Sequence, residues 1–168
     1  MPAQSPFTTA CDDVVTLITN AITAGDVFSE PSDVLSGDNV VRRYRPRKDL
    51  SRLVPGIMHV AVMPSINAQQ TSSSRSGERW HFGVQIELHG KLADGIDVDT
   101  DEGSDHCDRW ERTLFELLQL VRKQSKLSHG ASRSQEAEIV YTRANRMLDQ
   151  RCWSSAVTLP FTVEVDKR

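Results

Sequence analysis

From Trp80 to His89 the chain alternates strictly: Trp80, Phe82, Val84, Ile86 and Leu88 are apolar, and His81, Gly83, Gln85, Glu87 and His89 between them are not. Successive side chains of a strand point to opposite faces. Five apolar matches out of five therefore commit this stretch to a sheet with one dry face and one polar face. Near the C-terminus, Val157, Leu159, Phe161, Val163 and Val165 alternate with Thr158, Pro160, Thr162, Glu164 and Asp166, which predicts a second such strand. Pro160 has no N–H for a ladder and places that strand at an edge or a bulge. The charged tail Glu164, Asp166, Lys167 and Arg168 would blunt an exposed edge.

The remaining elements are read around these two strands. Ile57–Met63 is a strand with Met58, Val60 and Val62 on one face, and with 79–89 it predicts a long antiparallel hairpin. Between them lies PSINAQQTSSSRSG, which holds almost nothing a core could use, so a flexible polar arm is expected at about 64–78. Val14, Val15, Leu17, Ile18, Ala21 and Ile22 recur at near-helical spacing and Gly25 supplies a stop. This predicts a helix over 12–24 with Asp12 and Asp13 at its positive end. Trp110, Leu114, Leu117, Leu118 and Val121 form a core-facing stripe on a second helix of about 105–124, with Asp105 and Asp108 at its start. Between these elements, 26–39 and 125–135 read as loops and Asn39–Tyr44 as a short strand. Pro46–Pro55 reads as a turn with Leu50 and Leu53 inward, Glu138–Thr142 as a strand and Arg143–Gln150 as a short helical turn. The expected fold is a single α+β domain over 1–168: a mainly antiparallel sheet with a long hairpin and two main helices packed on one face.

Length and composition agree with one domain. A chain of 168 residues buries roughly 70% of its extended surface. Counting glycine, the apolar share is about 43%, slightly under the globular norm. No apolar run approaches the ~20 residues of a membrane span. The opening MPAQSPFTTA has neither the basic start nor the apolar stretch of a secretion signal. Cys11, Cys107 and Cys152 are too widely spaced for a disulfide framework or a Cys-x-x-Cys motif, so reduced thiols in a protein made in the cytoplasm are expected.

The net charge of −3 conceals segregation. Residues 1–41 hold six acids and no base, and 42–52 hold Arg42, Arg43, Arg45, Arg47, Lys48 and Arg52 against Asp49 alone. Residues 94–108 hold seven acids and no base. Blocks of this kind suit a molecule that meets something charged, including copies of itself. The basic run, with Tyr44 inside it, has nucleic-acid character. A strand there would split its arginines between two faces, and guanidinium groups serve equally well against carboxylates.

Motifs with chemistry are few. Asp97, Asp99, Asp101 and Asp108 fall where an EF-hand calcium loop places ligands, but Glu102 stands where that loop needs glycine. The final ligand is also an aspartate rather than a longer glutamate. His106-Cys107 has no partner at zinc or nucleophile spacing, and His81 and His89 read as surface residues on the polar face of their strand. There is no P-loop, nucleophile elbow, His-Glu-x-x-His or dinucleotide fingerprint. No catalytic residue, metal or cofactor is assigned, and the expectation is a protein that is not an enzyme.

The order of segments is itself informative. A short N-terminal helix precedes an arginine-rich strand and Tyr44-Arg45-Pro46, Asp49-Leu50, Leu53 and Pro55; a strand then ends at Met63-Pro64. The polar arm closes on Ser74-Arg75, and after the long strand, acidic loop and helix comes Trp153-Ser-Ser-Ala-Val-Thr-Leu-Pro-Phe161. Across nearly the whole chain this layout resembles the tail-terminator (tail-completion) proteins of long-tailed bacteriophages. The resemblance implies a structural virion protein of the phage neck, assembled in the host cytoplasm. It forms a ring of six copies that caps the tail tube, ends its polymerisation and joins the tail to the head connector. Its partners would be itself, the tail tube protein and the head connector or adaptor protein, with DNA passing through the lumen without sequence-specific binding, and no membrane. Ring contacts are heterologous, and Arg42, Arg43, Arg45, Arg47 and Lys48 against Asp97, Asp99, Asp101 and Glu102 are the complementary candidates. Asn67, Gln69, Gln70, Ser73 and Arg75 are the candidate docking arm. A head-closure or connector protein of the same neck is the alternative, and a calcium- or nucleic-acid-binding module a more distant one.

Overall fold

The computed structural model describes residues 5–25, 34–44, 53–65, 68–73, 77–97, 99–133, 140–144 and 151–166. Two strands of fifteen residues form its axis, Gly77–Lys91 (β4) and Cys152–Asp166 (β7), paired antiparallel along their whole length from Gly77↔Asp166 to Lys91↔Cys152. Met58–Pro64 (β2) runs antiparallel along the other edge of β4, from Met58↔Gly90 to Pro64↔Val84. Val40–Arg42 (β1) lies parallel beside β2. Gln69–Ser73 (β3) takes up the same edge of β4 beyond β2, and Val140–Ala144 (β6) and Ser132–Arg133 (β5) share the far edge of β7. Among the described residues the sheet has seven strands and is mostly antiparallel. With Pro6–Ala24 (α1) and Asp101–Arg122 (α2) on its dry face, the fold is α+β.

The register lines up that dry face. Val60, Leu88 and Ser155 form one row across β2, β4 and β7; Val62, Ile86 and Val157 form the next; Val84 lies beside Leu159 and Phe82 beside Phe161. Ala10, Cys11, Val14 and Ile18 of α1 and Trp110, Leu114, Leu117 and Val121 of α2 pack on these rows in one cluster. Each fully buried side chain of this size contributes about 1.5–3 kcal/mol, so the sheet face and the two helix stripes stabilise one another. Gly90 belongs to this face for a reason of space: a Cβ there would lie 3.0 Å from three ring carbons of Trp110. The indole lies over bare backbone, with Trp153 at a centroid distance of 6.1 Å.

Several boundaries differ from the sequence reading. α1 starts at Pro6 rather than 12, because Ser5 stands at the N-cap and proline suits the first helical position. The added turn sets Phe7 against Phe82 and Trp80, at centroid distances of 5.0 and 6.0 Å. Asp12 and Asp13 therefore do not sit at the positive end of the helix; each has a partner elsewhere. α2 starts at Asp101 rather than 105, capped by Thr100, whose Oγ1 accepts from the Gly103 N–H at 3.2 Å. The second half of the acidic loop is thus helix. Arg143 and Ala144 belong to β6 rather than to a helical turn, and residues 145–150 lie outside the described residues. Leu53 is buried as expected, while Leu50 lies outside the described residues.

Pro160 sits in a central strand and not at an edge. The Gly83 carbonyl accepts from Ser65 N–H at 2.7 Å, so Gly83 turns its polar groups away from Pro160 and the pair is of the non-hydrogen-bonded kind. The proline nitrogen then faces the far side of β7, where the pairings with β6 end at Thr158 and those with β5 begin at Phe161. Among the described residues no strand pairs with β7 at Leu159 and Pro160 on that side, so the missing N–H meets no described ladder partner. At Glu164 β7 pairs with β4 on one side, and among the described residues no strand pairs with it on the other; Lys167 and Arg168 lie outside the described residues.

Candidate functional site: charged surfaces at opposite ends of α2

Of the basic run, Arg42 and Arg43 are described, and Arg45, Arg47 and Lys48 lie outside the described residues. Arg42 is committed within the molecule: Nη1 donates to Asp12 Oδ2 at 2.8 Å, and its guanidinium lies 5.2 Å from the ring centroid of Tyr44. A half-buried arginine already paired to α1 ties β1 to that helix and has little left for a neighbouring subunit. Of the expected arm, Gln69, Gln70 and Ser73 stand on β3, with all five β3 residues exposed. Asn67 and Arg75 lie outside the described residues. The segment expected as a floppy tip therefore contains a strand. Main-chain pairing to β4 forms it without apolar side chains, helped by Thr71 Oγ1 donating to Arg79 O at 3.3 Å, and the register shifts between Gln70 and Ser72.

The acidic residues gather at the N-terminal end of α2. Asp94, Asp97 and Asp99 are exposed on the connection from β4, and Asp101, Glu102, Asp105 and Asp108 are exposed on the helix itself. They do not fold around an ion. Asp97 Oδ1 accepts from Asp99 N–H at 3.2 Å, its carbonyl accepts from Thr100 Oγ1 at 2.6 Å, and Asp101 and Asp108 are helical. Among the described residues no group of three or more His, Cys, Asp or Glu side chains is arranged to hold a metal. Acids in the first turn instead complement the helix dipole. Arg151, at a left-handed φ of 54°, holds this end in place. Its guanidinium donates to the carbonyls of Ala93 and Ile96 and lies 3.4 Å from an Asp94 carboxylate oxygen.

The opposite end of α2 is basic, as residues 109–133 announce with six bases against two acids and Arg122, Lys123 and Lys126 at the helix end; the cleft that the strands add to it is not visible in the sequence. After Arg122 the chain turns through Lys126, His129 and Arg133, which come together with Arg79 and His81 of β4 and Glu164 of β7 around a cleft of about 650 Å³. Arg79 Nη2 and Nε donate to the same Glu164 oxygen, at 2.5 and 3.1 Å, which pairs one of the cations. Lys126 and Arg133 have no carboxylate within ion-pair distance among the described residues. The loop that carries them is anchored by Asp13: Oδ2 accepts from His129 N–H at 3.0 Å and Oδ1 lies 2.6 Å from His129 Nδ1. This explains why a buried carboxylate stands in the second turn of α1.

The polar face of the sheet holds a further departure. His89 is buried rather than exposed, at 3% accessibility. Its Nδ1 lies 2.9 Å from Ser154 Oγ on β7, its Nε2 lies 3.2 Å from Glu87, and Glu87 accepts from Gln85 Nε2 at 2.8 Å. The order serine, histidine, carboxylate is that of an acyl-transfer relay, but the imidazole and carboxylate are closed off from solvent, and the string joins β4 to β7. The three cysteines are buried and none is in a disulfide among the described residues. Cys11 lies in the core, and burial, with Asp12 beside it, pushes its thiol up to about 12. At the α2 end, burial and the Arg109 guanidinium lower the pKa of His106, whose Nδ1 lies 2.8 Å from Arg109 Nη2. Among the described residues no helix is long and apolar enough to cross a membrane. Neither the protein-family models nor the curated proteins include a match to this chain, so the functional reading stands on its own residues.

Proposed function

We propose that this protein is a structural, non-enzymatic component of a phage neck. Six copies form a ring that caps the tail tube, ends its polymerisation and joins the tail to the head connector, with DNA passing through the lumen. The reading starts from the resemblance of layout, and the observation that best supports it is the end of the sheet at β3. There a polar strand with every residue exposed pairs, among the described strands, with β4 alone. Exposed strand edges dock partner chains through main-chain hydrogen bonds, and a polar one does so without forming an apolar aggregation site. A protein that must engage two unlike assemblies has a use for such an arm.

The test uses purified tail tubes. The protein is added to tubes in the presence of free tube subunits and the tubes are imaged by electron microscopy. Density at one end only, with elongation stopped at that end, is the expected result. Tubes that grow at both ends as if untreated would overturn the proposal, and binding to isolated connectors instead of tubes would assign the head-closure role.

A further inference from the structure

We infer that the basic cleft at the C-terminal end of α2 is the receptor for the acidic N-terminal end of α2 in a second copy of this chain. The inference rests on the ring reading above and deepens it by naming the joint. It takes this cleft rather than Arg42 as the basic partner, since Arg42 is already paired to Asp12, and Arg45, Arg47 and Lys48 lie outside the described residues.

Geometry carries the argument. α2 has 22 residues and so spans about 33 Å at 1.5 Å per residue. The acidic end and the basic cleft are therefore held at opposite poles of one rigid element, and a single subunit cannot bring them together. Two copies arranged head to tail can, and such a contact joins unlike surfaces, as a ring or filament requires. The charges match. Lys126 and Arg133 in the cleft have no carboxylate partner among the described residues, and His129 is 66% exposed beside them. Asp99, Asp101 and Asp105 are exposed at the other pole. The helix dipole adds to the match, because the first-turn acids of one copy would meet the C-terminal end of α2 in the next through the cations gathered there.

A nucleic-acid backbone is the competing occupant, and one feature disfavours it: the chain carries a net charge of −3, whereas a domain that binds nucleic acid is ordinarily basic. Glu164 lies in the cleft already paired with Arg79, so it opposes an acidic protein surface no more than it opposes phosphate.

The experiment is a charge swap on the full chain. One variant carries Lys126→Glu with Arg133→Glu. The other carries Asp99→Lys with Asp105→Lys, which leaves Asp101 and Glu102 in the first helical turn. Self-association is followed by sedimentation velocity at low and high salt, and circular dichroism confirms that both variants keep the wild-type fold. Each variant alone should associate at least roughly tenfold more weakly than wild type, and an equimolar mixture should recover assembly, because each mutated surface then finds its complement. Variants that assemble like wild type would overturn the inference while leaving the ring reading intact, as would a mixture that stays dissociated. A wild-type protein that never associates would overturn both. Should the cleft variant lose DNA binding while its self-association is unchanged, the cleft belongs to nucleic acid.

Discussion

Replacing Gly90 by alanine adds one methyl group to a strand, a change that on propensity alone favours the alanine by about 0.5–1 kcal/mol. The structure predicts the opposite sign. The new Cβ would stand 3.0 Å from Cε3, Cζ3 and Cη2 of Trp110, well inside ordinary carbon contact, and Trp110 is 1% exposed with the Trp153 ring at a centroid distance of 6.1 Å. The indole must retreat by several tenths of an ångström in a packed core, and overpacking of this kind costs about 1–3 kcal/mol. Net destabilisation of about 1–2 kcal/mol is expected, or roughly 2–8 °C in Tm for a chain of this size. The decisive comparison is a double-mutant cycle with Trp110→Leu, measured by urea denaturation at one fixed protein concentration. With the indole gone, Gly90→Ala should be neutral or mildly stabilising, so the two changes should couple by at least about 1 kcal/mol. Equal costs of Gly90→Ala in both backgrounds would refute the claim that the glycine exists to seat the tryptophan.

Three further expectations follow from the packing. Asp13→Ala leaves the His129 N–H without its carboxylate and should cost about 1–3 kcal/mol, read by denaturation; a loss below about 0.5 kcal/mol would show that the loop is held by other contacts. Cys11, at 0% exposure with its thiol pushed up to about 12, should not react with a thiol reagent at pH 8 until the protein is unfolded, whereas rapid labelling in the native state would contradict its burial. The pKa of His106 is lowered from 6.5 in the fold, so the unfolded chain takes up its proton first as pH falls. Its contribution to stability is therefore complete above the unfolded value and is lost as pH drops below it. A histidine NMR titration should place His106 below 6.5, and Arg109→Ala should move it upward.

The strands and the two helix stripes were legible because their signals are periodic. Trp80 to Leu88, Val157 to Val165 and Trp110 to Val121 each mark a face, and those faces meet in the core. Helix starts were harder. Asp12-Asp13 and Asp105-Asp108 look like first-turn acids, but Ser5-Pro6 and Thr100 set the boundaries, and a single capping residue is a weaker signal than an acidic pair. β3 was hidden because it pairs through its main chain, with one hydroxyl bond from Thr71, and its side chains are indistinguishable from those of a loop. Burial of His89 could not be read from alternation, which reports the face a side chain takes and not what covers it. The acidic pole is a continuous run and was visible in the sequence. The basic cleft draws on residues 79–81, 126–133 and 162–164, which only the β4–β7 register and the end of α2 bring together.

The central claim is that this chain works as a closed assembly of identical copies joined head to tail. Native mass spectrometry of the purified wild-type protein, paired with negative-stain microscopy of the same sample, tests it most directly. The account predicts a discrete multiple of the 18.8 kDa chain, six by the resemblance, seen as rings with matching rotational symmetry and weakened by salt. A strictly monomeric species at every concentration and ionic strength, even with purified tail tubes present, would contradict it.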